Sequence, residues 1–292
     1  MPRTIAEAFT DFLYSLTPSA IESAASTSHR ASIEACLKNN FTLKRLFRTG
    51  SFGNGTSISG YSDIDYFASL ATDDLSARST YTLQCLRDAL VVRFPTSGVR
   101  VNCPAVRVPF GNAASEETEI VPADYIETVT TQKYKVYDIP DCDGGWMRSS
   151  PDAHNHYVRW IDGKLSGKVK PLIRFMKAWK FFRQVPISSF YLELRVAKYA
   201  ENETSILYEY DIQQVFDLLY RNNLANLQDP MGISGYIRPC KTESMLEDAR
   251  SKVLTASARA DKALAAFKAE NFKDAFHWWN LLYDGKFPSY YR

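Results

Sequence analysis

Near residue 46 the chain changes its hydrophobic period, and that change limits the folds open to it. Upstream, Ile5, Phe9, Phe12, Leu13 and Leu16 form the apolar stripe of an amphipathic helix. A second helix is expected over residues 18–44, broken near the polar cluster at 26–30. Downstream, residues 46–50 read as a short strand, 50–60 as a glycine-rich loop with a helical turn, and 63–70 as an alternating strand. A helix over 74–93 places Leu83, Leu86 and Leu90 on one face, and short strands are expected at 99–101, 105–108, 118–121 and 134–137. From Pro151 the period is helical again, over 151–164, 169–183, 188–200, 209–223 and 243–269, with Pro151 suited to the first turn of a helix. This order predicts an α+β protein of two lobes. It predicts a mixed-sheet core with N-terminal helices over residues 1–150 and a helical lobe over residues 151–292.

With 292 residues, 45% of them hydrophobic, the chain can withdraw roughly three quarters of its unfolded surface from water, which excludes a disordered chain. No stretch approaches the roughly 18 apolar residues of a membrane span, and Glu7 and Asp11 interrupt any leader-like block, so a cytosolic protein is expected. Cys36, Cys85, Cys103, Cys142 and Cys240 are odd in number and widely spaced, and are expected to be reduced thiols. His154 and His156 have no cysteine pair nearby, so a zinc knuckle is not expected.

The chemistry concentrates at Asp63-Ile64-Asp65. On a strand, residues i and i+2 share a face, so the two carboxylates project together and need cations beside them. Magnesium prefers carboxylates plus substrate phosphates, and two such ions can serve a displacement at phosphorus. Gly50-Ser51, thirteen and twelve residues before Asp63, adds a backbone able to approach phosphate oxygens. A third carboxylate is expected from Glu119, preferred over Glu117 because an apolar run that would pack the strand in the core follows it directly. Between Gly163 and Leu192, Lys164, Lys168, Lys170, Arg174, Lys177, Lys180 and Arg183 occur without an acidic residue and are interleaved with aromatics. The bland counterpart of that stretch is a solvated helix face over a core stripe.

Gly50-Ser51 with Gly55-Thr56, Gly60-Tyr61-Ser62-Asp63-Ile64-Asp65 and Glu119-Ile120-Val121-Pro122 resembles the polymerase-beta-type nucleotidyltransferase signature. More narrowly, the chain resembles the bacterial CD-NTase family, relatives of cyclic GMP-AMP synthase that make second messengers in antiphage defence. Gly145-Trp146, Ser150-Pro151 with His154, Lys170 to Lys180, Ser189-Phe190-Tyr191-Leu192-Glu193 and the closing segment 278–288 follow the family pattern in order.

The resemblance implies a polymerase-beta-type core plus a helical lobe that completes a nucleotide-binding cleft. It implies a cyclic oligonucleotide synthase that joins ATP, GTP, UTP or CTP into a cyclic di- or trinucleotide and releases pyrophosphate. Asp63, Asp65 and Glu119 would be catalytic and hold two magnesium ions, with manganese able to substitute. Gly50 and Ser51 would cradle phosphates, Lys177 reach the triphosphate with Ser189 beside it, and Phe190 stack on a base. Asn155 and Asp162 are candidates for reading a base edge. A separate effector would sense the product, and a monomer is expected. Two departures matter: the third acid is Glu119, where many relatives carry the shorter Asp, and the zinc module that binds DNA in the animal enzyme is absent, so DNA activation is not supported. The alternatives are a nucleotidyltransferase acting on an RNA end, a protein or a small molecule, and an inactive nucleotide sensor.

Overall fold

The computed structural model describes residues 2–18, 20–60, 64–110, 116–129 and 133–291, with backbone alone for 20–28 and 116. Two compact units divide the chain: Pro18–His156 with Met231–Ser234, and Met1–Thr17 with Tyr157–Pro230 and Gly235–Arg292.

The first unit is built on a mixed sheet. Its elements are α2 (Ala20–Asn40), β1 (Leu43–Arg48), the short α3 (Gly50–Asn54), β2 (Ile64–Leu70), α4 (Ser79–Arg93), β3 (Arg100–Asn102), β4 (Ala105–Phe110), β5 (Glu116–Val129), β6 (Tyr134–Pro140) and β7 (Trp146–Ser149). Strand order is β1-β2-β5-β4-β3, with β6 pairing β5 and β7 pairing β6. Among the described residues only β2 and β5 run parallel; the other pairs of this sheet are antiparallel. The fourteen-residue β5 is the hub: Thr118–Ile120 lies between β2 and β4, and its later residues pair with β6. α2 runs through the 26–30 region, where a break was expected, and β7 and the length of β5 exceed what the sequence pattern indicated.

Alternation along these strands sorts the side chains. Ile64, Tyr66, Val106, Val108 and Ile120 bury against Ile33 and Leu37 of α2 and Leu83, Leu86 and Leu90 of α4. Each of those leucines is at most 1% exposed and contributes about 1.5–3 kcal/mol by leaving water. The intervening Phe67, Val121 and Ala105 join Phe47 and Tyr137 on the other face. Asp65, Arg107 and Glu119 alternate onto that second face.

The second unit is helical: α1 (Ile5–Leu16), the C-terminal part of α5 (Pro151–Lys164), α6 (Val169–Phe182), α7 (Ser189–Ala200), α8 (Tyr208–Arg221), a two-stranded ribbon of β8 (Leu227–Gln228) and β9 (Tyr236–Ile237), α9 (Glu243–Lys268) and α10 (Phe272–Leu282). α1, expected with the sheet core, lies here because its rings have their partners here. Phe9 meets Phe175, Tyr208, Trp279 and Phe287 at centroid distances of 5.1–5.9 Å, and Phe12 meets Tyr283 at 4.7 Å. Such ring pairs add about 0.5–1.5 kcal/mol beyond area burial. Thr4 and Glu7 close a capping box at its start.

Cys103 and Cys142 are joined as a disulfide across 39 residues, Cα–Cα 5.6 Å. This corrects the expectation of five reduced thiols: the fold brings the β3–β4 turn beside the loop after β6, a proximity with no local sequence signal. Cys36, Cys85 and Cys240 are thiols, and Cys36 is buried as a small apolar group.

Candidate active site

The site begins where β1 ends. The Thr49 amide donates to the Asp65 carbonyl at 2.8 Å, extending the β1–β2 ladder by one residue before the chain turns. Gly50 then takes φ +59°, and a Cβ at that position would overlap the Asp65 carboxylate. Only glycine both adopts that backbone at low cost and leaves room for the side chain beside it. α3 lasts five residues and closes at Gly55 in the left-handed region, and the Ser51 carbonyl accepts the Thr56 amide at 2.9 Å. The Gly50 backbone is thus brought beside the Asp65 carboxylate, with Ser51 following it in α3.

The parallel register sets Asp65 directly opposite Glu119. Both are hard-oxygen donors on one face, a set that fits magnesium. Asp63 lies outside the described residues, and among the described residues no group of three His, Cys, Asp or Glu side chains is gathered as a metal cluster.

Across the antiparallel β4–β5 pair, Arg107 stands opposite Glu119. Its Nη2 donates to Glu119 Oε1 at 2.6 Å and its Nε to the same oxygen at 3.0 Å, and Asn102 Nδ2 adds a third donor at 3.0 Å. Arg107 Nη1 pairs with Glu117, whose Oε1 also takes Arg100 at 2.8 Å. The side chains of Arg107 and Glu119 are 22% and 18% exposed. Sequence reading missed Arg107 and Asn102; the available signal was a lone arginine between Val106 and Val108, polar in an otherwise apolar strand.

In the helical unit two lysines of α6 meet different residues of α7. Lys177 is 1% exposed and its ammonium sits on Glu193, one turn after Ser189 on α7. The lysine that reaches Ser189 is Lys180, with Nζ to Oγ at 2.6 Å. Phe190, in the first turn of α7, is 40% exposed, whereas its neighbour Tyr191 is buried, with its hydroxyl donating to the Ala225 carbonyl at 2.7 Å. Burial pushes the Tyr191 phenol up, and Arg195 opposes that shift. Asp162 accepts the Val169 and Lys170 amides, each at 3.0 Å, and so caps the start of α6. Asn155 lies in the sheet unit, where its Nδ2 would stand 3.7 Å from a Cβ on Gly53 of α3.

A mixed sheet whose parallel central pair carries facing acids, entered through a glycine turn, is the arrangement that the polymerase-beta-type resemblance implied. Residues 3–161 match the model of the Second Messenger Oligonucleotide or Dinucleotide Synthetase domain, and the chain belongs to that family. It is similar to a probable cyclic nucleotide synthase of Bacillus cereus (strain VD146), 23% identical over 253 residues, 82% of this chain and 75% of that protein. Among solved structures, CdnC of E. coli MS115-1 with ATP superposes with TM-score 0.73 at 19% identity, covering 97% of this chain and 98% of that one. The DncV cyclic AMP-GMP synthase of Vibrio cholerae, bound to a linear intermediate, gives TM-score 0.65 at 14% identity over 84% of this chain and 70% of that one. CdnE, the cyclic dinucleotide synthase of Elizabethkingia meningoseptica, gives 0.61 at 19% identity over 86% and 97%. The CD-NTase resemblance read from the motifs is thereby borne out in family and fold. Among the described residues no helix is long and apolar enough to cross a membrane.

Proposed function

We propose that this chain condenses nucleoside triphosphates into a cyclic di- or trinucleotide at the Gly50–Asp65–Glu119 face, with magnesium as cofactor and antiphage signalling as its setting. The observation that carries the reading is the parallel register of Asp65 and Glu119 beside a glycine whose missing Cβ admits the carboxylate. Family membership and the nucleotides held by CdnC and CdnE support the substrate class.

In the proposed reaction, a ribose hydroxyl of one nucleotide attacks the α-phosphorus of another. The new P–O bond forms as the bond to pyrophosphate breaks, and a second transfer on the linear product closes the ring. Asp63, Asp65 and Glu119 would hold the ions; magnesium, when bound, supplies charge neutralisation for the triphosphate. Gly50 and Ser51 bring the backbone to the phosphates, and Glu119 is the candidate acceptor of the hydroxyl proton. Positioning and electrostatics carry most of such a displacement. For the helical unit we propose Ser189 and Phe190 as nucleotide contacts, with the base stacking on the exposed Phe190 ring. The resemblance implies Lys177 for the triphosphate; in this reading Lys180, whose ammonium stands beside Ser189, takes that role. A cytoplasmic monomer whose product is read by a separate effector completes the proposal.

The test is incubation of the purified chain with four labelled ribonucleoside triphosphates and Mg2+, followed by phosphatase treatment and mass spectrometry. A phosphatase-resistant cyclic species is expected. Label transferred instead to RNA, protein or a small molecule, or no product with any mixture or activator, overturns the proposal.

A further inference from the structure

The donors that reach Glu119 are distributed unevenly. Among the described residues every one of them arrives at Oε1: Nη2 and Nε of Arg107, and Nδ2 of Asn102. A guanidinium usually engages a carboxylate through two parallel bonds, one to each oxygen. Here the second arm of the fork, Nη1, turns away to Glu117. The reason lies in the register. Arg107 stands opposite Glu119 on one side of β4 and opposite Arg100 on the other, while Glu117 is two residues from Glu119 and so on the same face of β5. Arg100 holds Glu117 from β3, and Asn102 of the same short strand holds Glu119. The β3–β4 hairpin thus presents Arg100, Asn102 and Arg107 as a comb of donors to two acids of β5. Oε2 of Glu119 is left without a protein donor among the described residues.

We propose that Arg107 is a positioning residue for the acidic site: its fork, spanning Glu117 and Glu119 and seconded by Asn102, fixes Glu119 through Oε1 and so presents Oε2 to a divalent cation beside Asp65. The inference rests on the metal-site reading above and adds the device that orients the third ligand. Ligating carboxylates need such outer partners to hold their direction, and loss of one commonly costs about 10–100-fold in metal affinity or activity. The hold also answers the departure noted in the sequence. Glutamate has one more rotatable bond than aspartate, and a grip on one oxygen removes the freedom that bond adds. Arginine rather than lysine is required, because one ammonium has no rigid fork with which to span two carboxylates.

The experiment is Mn2+ titration, followed by electron paramagnetic resonance, of the full chain with a non-hydrolysable nucleoside triphosphate, alongside steady-state kinetics. Arg107→Met is expected to weaken Mn2+ binding about 10–100-fold and to lower kcat comparably, with the nucleotide KM little changed. Arg107→Lys should restore only part of the loss. Should Arg107→Met fold poorly, Asn102→Ala, which removes one donor and leaves both ion pairs, should weaken Mn2+ binding in the same direction by a smaller factor. Mn2+ binding and kcat equal to the parent in Arg107→Met, or in a folded Asn102→Ala if Arg107→Met does not fold, overturn the inference while leaving the metal site standing. If Asp65→Asn and Glu119→Gln also bind Mn2+ like the parent, the metal-site reading has failed and takes the inference with it.

Discussion

Each unit carries a prominent ion pair, and the two pairs are built differently. In the helical unit Lys177 and Glu193 meet between α6 and α7 with side chains 2% and 10% exposed. In the sheet unit Arg107 and Glu119 are 22% and 18% exposed, and the arginine divides itself between two acids. A pair closed off from water has little left to offer a ligand, whereas a partly wet pair with an oxygen to spare can take one. On the proposed reading, burial more than charge itself separates the structural ion pair from the one that serves the site.

The comparison breaks most visibly at the closed pair. Lys177→Ala removes a charged partner of a buried carboxylate and is expected to destabilise the fold by about 3–5 kcal/mol in denaturant unfolding. Replacing both members with apolar residues of similar size, Lys177→Met with Glu193→Leu, should recover most of that loss. A single substitution costing under about 1 kcal/mol would show that the pair is not sealed as described.

The open site should respond in rate before stability. On the proposed assignment, Asp65→Asn keeps shape and removes charge, so product formation should fall at least about 100-fold while the unfolding midpoint moves little. Retained synthesis would remove Asp65 from the site. Gly50→Ala probes the same place sterically. Its Cβ has no space beside the Asp65 carboxylate and its φ is left-handed, so a cost of about 1–3 kcal/mol is expected, together with a fall in synthesis. A variant as stable and active as the parent would mean that the turn rearranges freely.

What could be read from sequence follows the range of the interactions. Period-based elements such as α1, α4 and α6 were legible because their apolar stripes are local, and so was the pairing of a glycine turn with an acidic strand. The opposition of Asp65 and Glu119 was legible only as chemistry, since a parallel register across 54 residues leaves no local trace. Arg107 was illegible for the same reason: its role exists only once β4 lies against β5. Lys177 and Lys180, three apart on one helix, carry the same charge in sequence, and only burial tells them apart. The helical unit's claim on α1 was hidden because Phe9 and Phe12 announce a buried face without naming its partner.

The mildest test concerns an arginine that resembles Arg107 in composition alone. Arg148 of β7 donates to Glu127 of β5 at 2.8 Å, also from a neighbouring part of the same sheet, but the two side chains are 55% and 51% exposed. Water competes for both groups and two long side chains must be held still, so exposed pairs of this kind contribute only about 0.2–1 kcal/mol. Arg148→Ala should therefore shift the unfolding free energy by less than about 1 kcal/mol, the shift should shrink further at 1 M salt, where screening acts within about 3 Å, and synthesis should be unaffected. A loss as large as that at Lys177 would mean that exposure does not grade these pairs, and the contrast between the two units would need another physical basis.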